Sequence, residues 1–274
     1  LLGVKGAAIA TVMSRYVEFG LLAVYYFIKR NRFRYVQGAF SSIRIPKNVL
    51  SQIAKKGLPL LLNEFFWSSG MTLLSSGYSL HGLTVMAGYS ISSTVVNLFT
   101  IAFISFGSAI GIIIGKQLGA NEFDNAVDSC RKLSTFAVMM SLGITLIVVL
   151  FGYKIPLLYN TTEQSKEYAM YFIRISSVFF PFTAFANSSY FTLRSGGKTG
   201  ITIIYDSVFI MAVSVPTVFL LYYAAHLNIW QVYPIVQSLE IIKCIIGYAF
   251  LKKRIWVNNI VSDDEAQKGE VVCV

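Results

Sequence analysis

The sequence predicts an all-α integral membrane protein of seven membrane-spanning helices, and three observations lead there. Of its 274 residues, 55% are hydrophobic and only 13% charged, with a mean hydropathy of +0.62, well outside the usage of soluble globular chains. Apolar stretches long enough to cross a bilayer recur along the chain, each bounded by polar or basic residues. The net charge of +10 comes from cations that fall between those stretches, as membrane topology requires and a nucleic-acid surface does not.

The first span, 3–28, closes on the basic run Lys29, Arg30, Arg32 and Arg34. Residues 29–56 follow as a polar connector with eight basic residues and no acid, the natural domain boundary. The second span is 57–78, ended by a short turn at His81 and Gly82. The third, 84–116, is longer than the roughly 20 residues a bilayer needs, so tilt, protrusion or a kink near Gly107, Gly111 and Gly115 is expected. Gly119 is expected to end it, and Asn121 to cap a short surface helix with Glu122 and Asp124 in its first turn.

The fourth span is 133–153. Beyond Pro156, the pattern Thr161-x-x-Gln164 predicts a helix cap before the fifth span, 166–193, which stops at the RSGGKT turn of 194–199. The sixth is 200–224 and the seventh 231–251, closed by Lys252, Lys253 and Arg254. Residues 57–254 therefore read as one six-helix lobe, and 255–274 as a polar tail expected to be disordered.

Alternate connectors carry seventeen Lys and Arg on one side, against Lys5, Lys154 and Lys166 on the other. The richer side is expected to face the cytoplasm, so the chain starts outside and ends inside, in the cytoplasmic (inner) membrane. It opens on Leu1, almost inside an apolar span and without a basic leader, and is expected to be a fragment. A shift of 225 residues lays Arg15 on Glu240 and Glu18 on Lys243. Both spans then carry an opposite-charge pair at i,i+3, and each would close one of two parallel six-helix repeats, with five helices missing upstream.

No enzyme is predicted. Cys130, Cys244 and Cys273 lack metal or redox spacing, only His81 and His226 are available as imidazoles, and no HExxH, GxSxG or Walker loop occurs, so no metal centre or cofactor is expected.

The residue that points to function is Glu64. On a helix its neighbours three and four away are Leu60, Leu61, Trp67 and Ser68, none of them cationic. An acid inside a membrane helix costs on the order of 2.5–3.5 kcal/mol, so it asks for a cavity, a bound cation or a proton. Asp206 also lacks a local partner among Thr202, Ile203, Phe209 and Ile210, and Asn187 lies at a similar depth. Glu64, Asn63 and Asp206 are the predicted coupling-ion residues. Trp67, Tyr89, Asn97, Asn187 and Tyr205 are the predicted lining of a substrate cavity, where aromatic rings would take flat organic cations. Arg15 with Glu18, and Glu240 with Lys243, are read as structural pairs along their own helices.

GVKGAAIATVMSRYVE at 3–18, GLPLLLNEFFWSSG at 57–70, IGKQLGANEFDNA at 114–126, RSGGKT at 194–199 and Asp206 followed by Pro216 occur in an order and spacing that resemble the multidrug and toxic compound extrusion (MATE) family of transporters. The resemblance runs from that family's sixth helix through its carboxy-terminal six-helix lobe, one of two lobes in a twelve-helix antiporter. It implies export of organic compounds coupled to entry of Na⁺ or H⁺, with the absent amino-terminal lobe as partner, and maps the family's seventh-helix acid onto Glu64. The further acid that many relatives carry on the tenth helix would fall in 166–193, where this chain has Phe, Ser and Asn187 and no buried Asp is expected.

Two other readings compete. A flippase for lipid-linked sugars would be favoured by several cavity arginines, which these spans lack. A seven-helix receptor fits the span count, but there is no cysteine pair for an outer-loop disulfide, and the Ser14-Arg15-Tyr16 match sits on the first span.

Overall fold

The computed structural model describes residues 3–29 and 47–258, and all regular structure among them is helical. The rest of the predicted connector, 30–46, and the tail from 259 onward lie outside the described residues. The chain divides into two compact units, Leu1–Lys55 and Lys56–Val274. In the first, α1 (Gly3–Ile28) is an exposed apolar helix on which Arg15 and Glu18 pair at 2.8 Å, as their i,i+3 spacing predicts.

The second unit holds most of α2 (Lys47–Ser79), then α3 (Leu83–Gly119), α4 (Phe123–Phe151), two 3₁₀ turns, α5 (Glu163–Ser195), α6 (Thr199–Ile203), α7 (Val215–Tyr223) and α8 (Ile229–Lys252). Between α6 and α7 the helix continues through two π-helical stretches, Ile204–Val208 and Ile210–Ser214. Six stretches among the described residues are long and apolar enough to cross a membrane: α1, α3, α4 with its 3₁₀ turns, α5, the continuous helix Gly200–Tyr223, and α8. The predicted span at 57–78 is helical throughout but is not among them. Its hydroxyls and amide, including Asn63, Ser68, Ser69, Ser75 and Ser76, dilute the apolar run.

Several boundaries move. Residues 47–56, read as connector, already belong to α2. The expected surface helix after Asn121 is continuous with the fourth span in α4, and Asn121 is a turn residue with φ 59° instead of its cap. The α5 cap is Thr162, one residue later than expected, whose Oγ1 accepts from the Ser165 N–H at 3.3 Å.

The packing explains the glycines. Lipid tails are as apolar as leucine, so helices associate in a bilayer by close van der Waals fit, which small residues permit. Helix α5 is the centre: it packs on α3, α4 and α8 and buries Ala169, Ser176, Ser177, Ala184, Ser188, Ser189 and Thr192. Helix α3 runs beside it in parallel. A Cβ on Gly107 would lie 3.3 Å from the Asn187 carbonyl oxygen, one on Gly111 would lie 3.2 Å from that of Phe191, and Gly115 faces Ser195. Helix α3 is continuous over 37 residues, and Gly107, Gly111 and Gly115 form the seam with α5.

Candidate functional site

Helix α2 buries a sparse face. Asn63, Gly70, Gly77 and Tyr78 are its buried residues among those described, and the seven-residue spacing of the first three keeps one seam toward the helix that follows α6. Gly70 meets Ile210 and Gly77 meets Val218 along it. Asn63, 1% exposed, is the polar member of this seam.

A buried amide must satisfy both its donor and its acceptor. The Asn63 Nδ2 donates to the Tyr190 hydroxyl of α5 at 3.2 Å. The Ser207 Oγ lies 2.7 Å from both the Oδ1 and the backbone oxygen of Asn63. Tyr190 in turn faces the charges of Arg194, Asp206 and Glu64. Asn63 thus joins α2, α5 and the π-helical stretch around a single polar node.

The π-helical turn directs consecutive residues to different helices, an irregularity common at functional sites. Ser207 reaches α2, whereas Asp206 reaches α8 and accepts a hydrogen bond from Lys243 Nζ at 2.7 Å. The two side chains are 17% and 11% exposed. This corrects two expectations: Asp206 has a partner, and Lys243 closes its ion pair on Asp206, not on Glu240 one turn away. Helical spacing exposed the local option, but the i,i+3 reach loses to an acid presented directly by the neighbouring helix. The Lys243 ammonium also stands 5.5 Å from the Tyr205 ring centre.

Glu64 is placed differently from Asn63. One position further round α2, it lies on the exposed face with Leu61, Leu62, Phe65, Phe66 and Trp67, and makes no ion pair among the described residues.

Among the described residues, the predicted lining residues of the substrate cavity are not brought together. Tyr205 is a core residue at 2% exposure, with its hydroxyl 3.4 Å from the Ala186 carbonyl oxygen. Tyr89 packs among Tyr78, Phe172 and Tyr233, and Asn187 donates to the Thr183 carbonyl of its own helix at 2.9 Å. Asn97 and Trp67 are exposed, on α3 and α2. Tyr205 and Tyr89 serve packing because a core absorbs aromatic rings as readily as a cavity does. Tyr190, Ser207 and Arg194 went unread, since a tyrosine, a serine and a helix-end arginine carry no signal until the π-helical stretch brings them together. No group of three or more His, Cys, Asp or Glu that could hold a metal occurs among the described residues.

The MatE family pattern matches residues 59–224, from the start of this node's α2 segment through the π-helical stretch and α7. The chain belongs to the MatE family. Among MatE-like relatives, a probable multidrug resistance protein, YoeA, of Bacillus subtilis is 22% identical over 265 residues, covering 95% of this chain and 57% of its own length. The probable multidrug resistance protein NorM of Thermotoga maritima is 24% identical over 222 residues, covering 80% and 47%. The chain thus spans about half the length of the curated relatives it matches. In fold it is similar to a MOP superfamily transporter from Pyrococcus furiosus, with a TM-score of 0.78 at 20% identity over 92% of this chain and 56% of that one. The MatE assignment agrees with the resemblance read from the motifs and with an all-helical, multi-pass membrane fold.

Proposed function

We propose that this chain is the carboxy-terminal part of a MatE antiporter that exports organic, mainly cationic, compounds in exchange for a proton or a sodium ion, and that Glu64 is its coupling acid. The observation that carries the reading is the division of labour between the two acids. Asp206 is already neutralised by Lys243, whereas Glu64 stands exposed beside the Asn63–Ser207–Tyr190 node with no cation against it among the described residues.

A carboxylate with no fixed counter-ion, next to hydroxyl and carbonyl oxygens, can take a hard cation or a proton and give it up again. Gain or loss of that charge biases the seam between α2 and the π-helical stretch, which two-state bundles use to alternate between faces. The rings of Phe65, Phe66 and Trp67 on the same face suit flat cations. An amino-terminal lobe is the expected partner, supported by relatives about twice as long. The excess of basic residues on alternate connectors supports cytoplasmic placement of the chain's end in a cytoplasmic membrane.

The test is ion-driven export of an organic cation from vesicles holding the complete transporter. Glu64→Gln should abolish the dependence of export on the proton or sodium gradient while leaving the protein inserted. Export that still follows the gradient in Glu64→Gln would remove the assignment.

A further inference from the structure

A cavity of about 490 Å³ opens between α4, α5 and α8, away from the polar node. Its walls are largely apolar, with Val127 and Val138 of α4, Phe185 of α5 and Leu251 at the end of α8, and the buried Trp256 closes one side. Two cations, Arg131 and Lys252, also line it. Neither contacts an acid among the described residues, although the neighbouring Lys132 is paired with Asp128 at 2.6 Å.

The geometry sets the depth of these groups. Helix α4 has 29 residues, about 44 Å at 1.5 Å per residue, against a hydrocarbon core of about 30 Å. Arg131, eight residues from the α4 start, therefore falls about 12 Å along it, at the interface, level with the α8 terminus that bears Lys252. Val138 lies about 10 Å deeper. Cations at the mouth and an apolar trough leading inward match a phosphate headgroup joined to acyl chains. This is the basic end of the bundle, with Lys116, Arg194, Lys253 and Arg254 nearby in the chain connections, and the cytoplasmic leaflet is where anionic lipids meet such ends.

We infer that this cavity is a binding site for an anionic phospholipid of the cytoplasmic leaflet, with Arg131 and Lys252 on the headgroup phosphate and an acyl chain lying against Val138 and Phe185. A zwitterionic lipid offers the same phosphate but brings its own ammonium against the two cations, whereas an anionic lipid brings net negative charge. At about fivefold per cation, the preference for anionic over zwitterionic lipid should be on the order of thirty-fold.

Trp256 reports on the site directly. In the 274-residue chain carrying Trp67→Phe and Trp230→Phe, it is the remaining tryptophan, and bromine on a nearby acyl chain quenches its fluorescence. Vesicles of phosphatidylcholine would contain brominated phosphatidylglycerol or brominated phosphatidylcholine at equal mole fraction. The inference expects a relative binding constant near thirty in favour of phosphatidylglycerol, a fall to about one in Arg131→Gln/Lys252→Gln, and retention in Arg131→Lys/Lys252→Arg. Equal quenching by both lipids overturns it, as does an excess that survives the double Gln variant. Full reversal of the quenching by millimolar glycerol phosphate would also overturn it, because the site would then hold a free anion. If the Gln variant loses its helical circular dichroism, a salt titration of the charge-intact chain decides. The phosphatidylglycerol excess must shrink as ionic strength rises from about 0.01 to 1 M, and a flat response overturns the inference.

Discussion

Asp206 and Lys243 sit on different helices, 37 residues apart in sequence, and meet at 2.7 Å with both side chains largely buried. Desolvating two charges is repaid only if they stay together, and removing one leaves the other uncompensated. Lys243→Met is therefore expected to destabilise the bundle by about 3–5 kcal/mol, read as unfolding in detergent. The double change Asp206→Leu/Lys243→Met should recover most of that loss. A double variant as unstable as the single one would show that the pair is not the source.

The Asn63 node predicts a smaller and different loss. Asn63→Leu removes the Oδ1 acceptor of the buried Ser207 hydroxyl, which keeps only the backbone oxygen of residue 63, and deprives the Tyr190 hydroxyl of its donor. An expected cost of about 1–3 kcal/mol follows for the stranded groups. Adding Ser207→Ala to Asn63→Leu should cost less than the two single changes summed, a coupling that a double-mutant cycle measures.

The α3–α5 contact is tested at Gly88. A Cβ there would lie 2.6 Å from the Tyr168 Cβ and 2.8 Å from the Ser165 carbonyl oxygen, so Gly88→Ala forces the helices apart. Overpacking of this kind costs about 1–3 kcal/mol. Gly143→Ala in α4 is the control: nothing lies within 4 Å of the added methyl, and helix propensity favours alanine by about 1 kcal/mol.

His81 gives a pH dependence from outside the membrane spans. In the turn between α2 and α3, its ring packs edge-on against Tyr222 at 4.9 Å, and burial lowers its pKa from 6.5. The unfolded chain then binds a proton more readily than the folded one, so stability should be full above the unfolded pKa and decline as pH falls through about 6.5. Thermal melts between pH 5 and 8 should show this slope, and His81→Gln should flatten it.

How far the sequence could be read depended on the range of each interaction. Apolar run length and the basic residues between runs identified a polytopic helical membrane protein, and motif order placed it in its family, because membrane insertion is decided span by span. The Arg15–Glu18 pair was equally legible, since both partners lie on one helix turn. Glu240 with Lys243 obeyed the same local rule and was misread, and Tyr205 and Tyr89 turned out to be core.

What the sequence by itself determined is therefore the apolar helices, the basic connectors between them and an acid at Glu64 with no cation on its own helix face, all set by the chemistry of single segments. Only the tertiary structure decided that Asp206 is buried against Lys243 while Glu64 lies exposed with no ion pair among the described residues. That choice rests on the π-helical turn, which sends Asp206 toward Lys243 and Ser207 toward Asn63. A one-residue change in helical pitch redirects side chains across helices, and no pattern of residue types along one helix encodes where its neighbours will stand.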